Sequence, residues 1–163
     1  MTTVHDGQVL AIPLRVEVTG RQPRPQGSMV SRRNHVVDSN PQHRIWRTHL
    51  AKVIEASAKS QGYLPQVVGV RVTIQFRFGR PRKAIQERMR IPFTGETPDI
   101  DKLSRSALDA LQEARIIRND CQVVILASSK IYVDNVDDVG LTMTVESVTE
   151  GDLTVWPAEQ GWT

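Results

Sequence analysis

The chain has a single cysteine, Cys121, among 163 residues, so it can form neither an internal disulfide nor a multi-cysteine zinc site. Any metal it binds must be held by oxygen or histidine ligands. Aromatic residues are scarce at 5%, and 39% apolar against 24% charged residues describes most simply one soluble domain with a modest core. The longest unbroken apolar run, Val123 to Ala127, is far short of the roughly 20 residues a membrane helix needs. The first residues lack a basic start followed by an apolar stretch, so the expectation is a cytoplasmic protein.

The net charge of +3 hides a division. Residues 1–98 carry 16 Lys+Arg against 6 Asp+Glu and residues 99–163 carry 5 against 12, so the parts are +10 and −7. One meaning is charge balance between two halves that touch. The other is a basic surface for phosphates beside an acidic cluster for divalent cations.

Apolar Leu14, Val16 and Val18 alternate with Arg15, Glu17 and Thr19 and predict a half-buried strand ending at Gly20. The segment "RQPRPQGSMVSRRNHVVDSNPQHR" predicts a basic loop with a small hairpin around Arg33 and Asn34. Ser39 or Asn40 can cap a first helix that takes Pro41 in its first turn and repeats Ile45, Trp46, His49, Leu50, Val53 and Ile54 until Gly62. Val68 to Phe78 holds the clearest period-two pattern and predicts a strand. "GRPRKAIQERMRIPFTGETP" follows, an arginine-rich loop long enough to suggest function. Ile100, Leu103, Ala107, Leu111 and Ala114 mark one stripe of a second helix, Cys121 to Val133 a strand, and Leu141, Met143 and Val145 a last strand. The tail with Trp156 and Trp162 stays unassigned. The expected fold class is α/β (α+β), a small mixed sheet packed with two main helices, over a core of about residues 12–148 and a tail of 149–163.

Asp99 and Asp101 flank one isoleucine, and an extended backbone there would turn both carboxylates to one side. Magnesium takes one or two carboxylates plus waters and substrate phosphate, and Asp120 at a strand start could supply a third oxygen ligand. Such a centre serves phosphodiester hydrolysis, and Arg105, four residues after Asp101, could meet the scissile phosphate. The bland alternatives are equally concrete. Asp99 or Asp101 can be a helix cap, Asp101 and Arg105 an ordinary ion pair, and Asp120 a turn residue. Asp109 points away from the apolar stripe and should be solvated, His49 should pack, and Cys121 should be a buried strand residue. Lys130 is ten residues from Asp120, roughly 33 Å along a straight strand, so it could touch nucleic acid but not the same metal.

The segment "TPDIDKLSRSALDALQEARIIRNDCQVVILASSKIYV" resembles the signature region of RusA-type Holliday junction resolvases, which pairs P-D-I-D-N-L-x-K with a helical L-D-A-L, a D-D-x-Q-V strand and a later lysine. "GRQPRPQGS" and "QHRIWRTHLAKVI" resemble that family's basic loop and first helix. By this resemblance Asp99, Asp101 and Asp120 are metal-binding catalytic aspartates, and Lys130 falls on the strand lysine. The family's asparagine after D-I-D is Lys102 here, its helix lysine is Arg105, and the first acid of its D-D pair is Asn119. Arginine keeps the charge but suits phosphate clamping better than proton donation.

The resemblance implies a homodimeric endonuclease that resolves four-way junctions by paired symmetric nicks. It would use Mg2+, with Mn2+ as possible substitute, and no nucleotide cofactor or membrane partner. Catalysis would fall to Asp99, Asp101, Asp120 and Arg105. DNA binding would fall to Arg24, Arg32, Arg33, Arg80, Arg82, Lys83, Lys102 and Lys130, and a phage or prophage origin would be usual. Two rival readings are a catalytically silent branched-DNA-binding protein of the same fold and a D-x-D phosphotransferase with Asp99 as covalent nucleophile.

Overall fold

The computed structural model describes residues 3–5, 8–10, 12–27, 29–32, 35–38, 41–65, 68–93 and 97–153. A short hairpin pairs β1 (Thr3–His5) with β2 (Gln8–Leu10), and a second pairs β4 (Met29–Arg32) with β5 (His35–Asp38). The second is the hairpin expected around Arg33 and Asn34, which themselves lie outside the described residues, as do the proposed cap positions Ser39 and Asn40.

The core of the fold is a mixed four-stranded sheet with the order β3-β8-β6-β7, where β3 is Leu14–Val18, β6 Val70–Gly79, β7 Val123–Val133 and β8 Gly140–Ser147. β8 pairs antiparallel with β3 and β6, and β7 pairs parallel with β6. The alternation seen in the sequence becomes two faces. Leu14, Val16, Val18, Val72, Ile74, Phe76, Leu141, Met143 and Val145 are buried, while Arg15, Glu17 and Thr73 are exposed on the other side.

Two helices cover the apolar face, α1 (Pro41–Gln61) and α3 (Ile100–Glu113). Trp46, Leu50 and Ile54 of α1 and Leu103, Ala107 and Leu111 of α3 join the sheet residues in one core. This is the α+β arrangement of a small mixed sheet and two main helices. The arginine-rich segment also holds one short helix, α2 (Arg82–Gln86), which no periodic pattern announced.

Two expectations fail. Cys121 is exposed and belongs to a 3-10 turn, Asp120–Gln122, because the Asn119 side chain accepts the Cys121 N–H at 2.6 Å and delays the strand to Val123. Ile100 begins the helix but is 39% exposed rather than core.

One corner is tightly constrained. Arg77, on the polar side of β6, is nonetheless buried, donating through Nε to the Asp138 carbonyl at 2.6 Å and through Nη2 to the Val18 carbonyl at 3.0 Å. Gly140 lies beside it with φ 153°, and a Cβ there would fall 1.8 Å from the Val18 oxygen. Only glycine fits this crossing of β3 and β8.

Candidate functional site

Asp99 occupies the position before the first residue of α3, with φ −61° and ψ 137°. A carboxylate there ordinarily turns back onto a helix N–H. This one makes no such bond, and its Oδ2 lies 3.0 Å from Lys102 Nζ. Asp101, in the first turn, lies 3.3 Å from Arg105 Nη2. The two carboxylate side chains are 66% and 60% exposed. Ion pairs this open contribute only a few tenths of a kcal/mol. The helix N-terminus adds a mild preference for negative charge.

The turn carrying Asp99 is braced from behind. Lys130 Nζ donates to the Pro98 carbonyl at 2.9 Å and to Thr97 Oγ1 at 3.3 Å, and the Thr97 hydroxyl donates to the Pro92 carbonyl at 3.3 Å. Ser104 of α3 meets Ser128 of β7, Oγ to Oγ, at 2.9 Å. From the other side, the Gln26 N–H bonds the Lys102 carbonyl at 3.1 Å, bringing the basic loop with exposed Arg24 to the start of α3. A shallow depression of about 370 Å3 opens between α3 and β7, lined by Asp101, Arg105, Leu108 and Leu126 among others.

Asp120 lies elsewhere. The contacts of Ser104 with Ser128 and of Lys130 with Pro98 mean that α3 runs antiparallel to β7, so Asp120, just before β7, lies towards the C-terminal half of α3, near enough to Asp109 for its charge to act there. Among the described residues no three His, Cys, Asp or Glu side chains converge closely enough to hold a metal ion. The chain pairs Asp99 with Lys102 and Asp101 with Arg105 at the start of α3, and among the described residues Asp120 does not join Asp99 and Asp101 in one cluster. Asp120 is exposed, and the turn bond at its position is made by Asn119.

Asp109 is the residue that sequence reasoning misplaced. It is half-buried, and burial pushes its carboxyl above the usual range, with Asp120 pushing the same way while Arg47, His43 and Arg105 oppose them. Its spacing carried a signal, since Asp101, Arg105 and Asp109 recur every four residues along one line of α3. That line of alternating charge leads from the Asp101 end of the helix towards Asp120. His49 packs as expected, its ring centroid 6.4 Å from that of Trp46, with burial and then the Arg21 and Lys52 charges holding its pKa down.

The basic residues divide into outward and inward groups. Arg82 and Lys83 of α2 and Arg24 are exposed. Arg80 is turned inward against Asp134, which Arg90 also meets at 3.2 Å, and these guanidinium hydrogen bonds hold the Asp134 carboxyl below its usual range. Lys130 is likewise engaged inside the chain. Lys102 pairs with Asp99, Arg32 ends β4, and Arg33 lies outside the described residues. No described helix is long and apolar enough to cross a membrane.

A mixed sheet under two helices, with a D-x-D pair at a helix start and a basic loop beside it, defines a small α+β protein. The family model described as Endodeoxyribonuclease RusA matches residues 17–144, most of the chain. The chain belongs to the RusA endodeoxyribonuclease family, whose members are hydrolases of DNA phosphodiester bonds. No curated protein matches it.

Proposed function

We propose that the protein is a divalent-metal-dependent endodeoxyribonuclease that resolves four-way DNA junctions as a homodimer. The observation that carries this reading is the open pair Asp99 and Asp101 at the start of α3, with Arg105 one turn further on, inside the segment matched to the family. The donor set fits the metal: carboxylate oxygens suit Mg2+ or Mn2+, and two of them leave room for water and phosphate. Bound there, the cation supplies neutralisation of phosphoryl charge and acidification of the attacking water.

The chain's own groups do the rest. Asp99 and Asp101 would hold the cation, and Lys102 and Arg105, which pair with them at 3.0 and 3.3 Å, stand beside it on a surface where a phosphate would arrive. Arg105 carries a planar, permanently charged fork, so it clamps the phosphoryl oxygens and does not donate a proton. Arg24, Arg82 and Lys83 hold DNA through its phosphates, which makes binding dependent on salt and indifferent to sequence.

Two copies are needed for two reasons. Paired symmetric nicks in a four-way junction require two centres about a two-fold axis. Asp120 also needs a route to the metal, and the topology suggests one. β7 is an edge strand with Val124 and Leu126 about half exposed, beside exposed Ile100. Antiparallel apposition of this edge with its counterpart, centred near Leu126, covers an apolar edge that a single chain leaves open. It also sets the start of one β7 against the end of the other, carrying Asp120 of the partner subunit towards Asp99 and Asp101.

The test is incubation of the purified protein with a four-way junction and a matched linear duplex, in Mg2+ or EDTA, beside Asp101→Asn. Paired nicks confined to the junction and abolished by EDTA or the substitution support the proposal. Equal cutting of both substrates leaves a nuclease without the resolvase assignment. Binding without cutting in Mg2+ and Mn2+ establishes the silent branch-binding alternative.

A further inference from the structure

Eight and six residues before Asp99 the chain holds two apolar side chains out into solvent. Ile91 is 69% and Phe93 76% exposed, the latter the most exposed large apolar side chain among the described residues. Their backbone is not loose. The Arg90 carbonyl accepts the Tyr132 N–H of β7 at 3.2 Å, the Met89 N–H bonds the Ala84 carbonyl at 2.8 Å, and the Phe93 N–H closes a tight turn onto the Ile91 carbonyl at 3.1 Å. Pro92 between them is buried and takes the Thr97 hydroxyl. Thr97 in turn meets Lys130, so the turn that presents Phe93 is tied by two hydrogen bonds to the brace behind Asp99.

The surroundings are basic. Arg82, Lys83 and Arg88 are exposed on the segment that leads to Phe93, against Glu87, while Arg80 and Arg90 are taken up by Asp134. A fixed aromatic in a cationic field suits a polyanion that also offers an apolar face. Linear duplex offers the charge but keeps its base faces stacked inside, whereas the centre of a branched DNA exposes base-pair faces at the point where the strands exchange. Aromatic side chains stack on such faces with little regard to sequence.

We infer that Phe93, with Ile91 beside it, is a wedge that stacks on exposed base faces at the branch point and gives this protein its preference for branched over linear DNA. The inference rests on the proposed function and adds a recognition element to it. The tie through Pro92, Thr97 and Lys130 places the wedge close to the Asp99 turn, so seating it at the branch point brings a nearby phosphate to the acids. Arg82 and Lys83 supply affinity that both DNA forms share.

The experiment measures binding of the full chain to a synthetic four-way junction with 2-aminopurine at the branch point and to a matched linear duplex, in EDTA at fixed salt. Phe93→Ala is expected to lower the junction-to-duplex affinity ratio by about ten-fold or more while leaving duplex affinity unchanged. It should also abolish the 2-aminopurine fluorescence change, and Phe93→Trp should keep both. Lys83→Ala should weaken junction and duplex together. An unchanged ratio in Phe93→Ala overturns the wedge. So does a changed oligomeric state, which would make Phe93 part of the contact between copies, or Phe93-dependent binding to anionic lipid vesicles, which would assign the turn to a membrane surface. Failure of the wild-type chain to prefer the junction at all would refute the proposed function first and the wedge with it.

Discussion

The Lys130 ammonium of β7 donates to the Pro98 carbonyl at 2.9 Å, one residue before Asp99. A lysine with strand parity to Asp120 could have pointed at DNA, but here its charge fastens the turn that aims the first of the paired acids. Lys130→Met should therefore leave junction affinity and its salt dependence nearly unchanged, lower the cleavage rate about ten-fold, and raise the Mg2+ concentration for half-maximal cleavage. Loss of a partly buried, charge-assisted bond should cost about 1 kcal/mol of stability. Lys130→Arg should recover part of the metal response. A fall in DNA affinity, with the log–log salt slope reduced by about one, would instead identify a phosphate contact.

Asp109 makes stability depend on pH in an identifiable direction. Its carboxyl is raised by burial first and by Asp120 among its charged neighbours. The folded chain therefore keeps a proton there at pH values where the unfolded chain has lost it. This group's contribution is most favourable below the ordinary carboxylate pKa and declines as pH rises from there through its higher folded value. Asp109→Asn should remove the decline and raise Tm at pH 7 more than at pH 4. Thermal melts of both proteins across that range check it, and an equal shift at every pH would show that Asp109 titrates as an ordinary surface acid.

Where one face of an element is buried and the other wet, the fold was legible in the sequence. Leu14–Val18, the alternating run from Val68 to Phe78, which the strand takes up only at Val70, and the strand around Met143 all announced themselves this way. β7 was read one turn too early because, on an edge strand, Val124 and Leu126 are half exposed and the alternation carries little burial information. α2 is only five residues long, and the N-terminal hairpin is built from two three-residue strands, both too short to show a period. In the site, the D-x-D pair and its Arg105 partner are local in sequence and were visible. The Lys130 brace joins residues 32 apart, and the direction of α3 against β7 decides where Asp120 goes. Neither is encoded in spacing.

Gly140 tests the corner at the end of β8. Its φ of 153° and a Cβ that would fall 1.8 Å from the Val18 carbonyl oxygen leave no room for a side chain against rigid backbone. Arg77 already holds that carbonyl at 3.0 Å, so the strand cannot move aside without breaking a buried charge-assisted bond. Gly140→Ala should destabilise by about 3 kcal/mol or more, measured by urea denaturation. Arg77→Met should cost about 2–4 kcal/mol by leaving the Val18 and Asp138 carbonyls short of a donor. The double variant should cost less than the two changes summed, because both act on one carbonyl.

The separation of Asp120 from Asp99 and Asp101 within one chain makes the dimer proposal testable without a structure of the complex. Asp101→Asn and Asp120→Asn should each abolish cleavage as pure proteins. If each centre draws Asp99 and Asp101 from one subunit and Asp120 from the other, a mixed dimer of the two variants concentrates both lesions in one centre and leaves the second intact. Unfolding and refolding the variants together at equal concentration should then restore about a quarter of the wild-type centres by random pairing, half the dimers being mixed and each having one good centre. The product should be single nicks rather than paired ones, because the restored centre has no active neighbour. A centre confined to one chain would be broken in every subunit of every mixture, and the mixed sample would stay as inactive as its components.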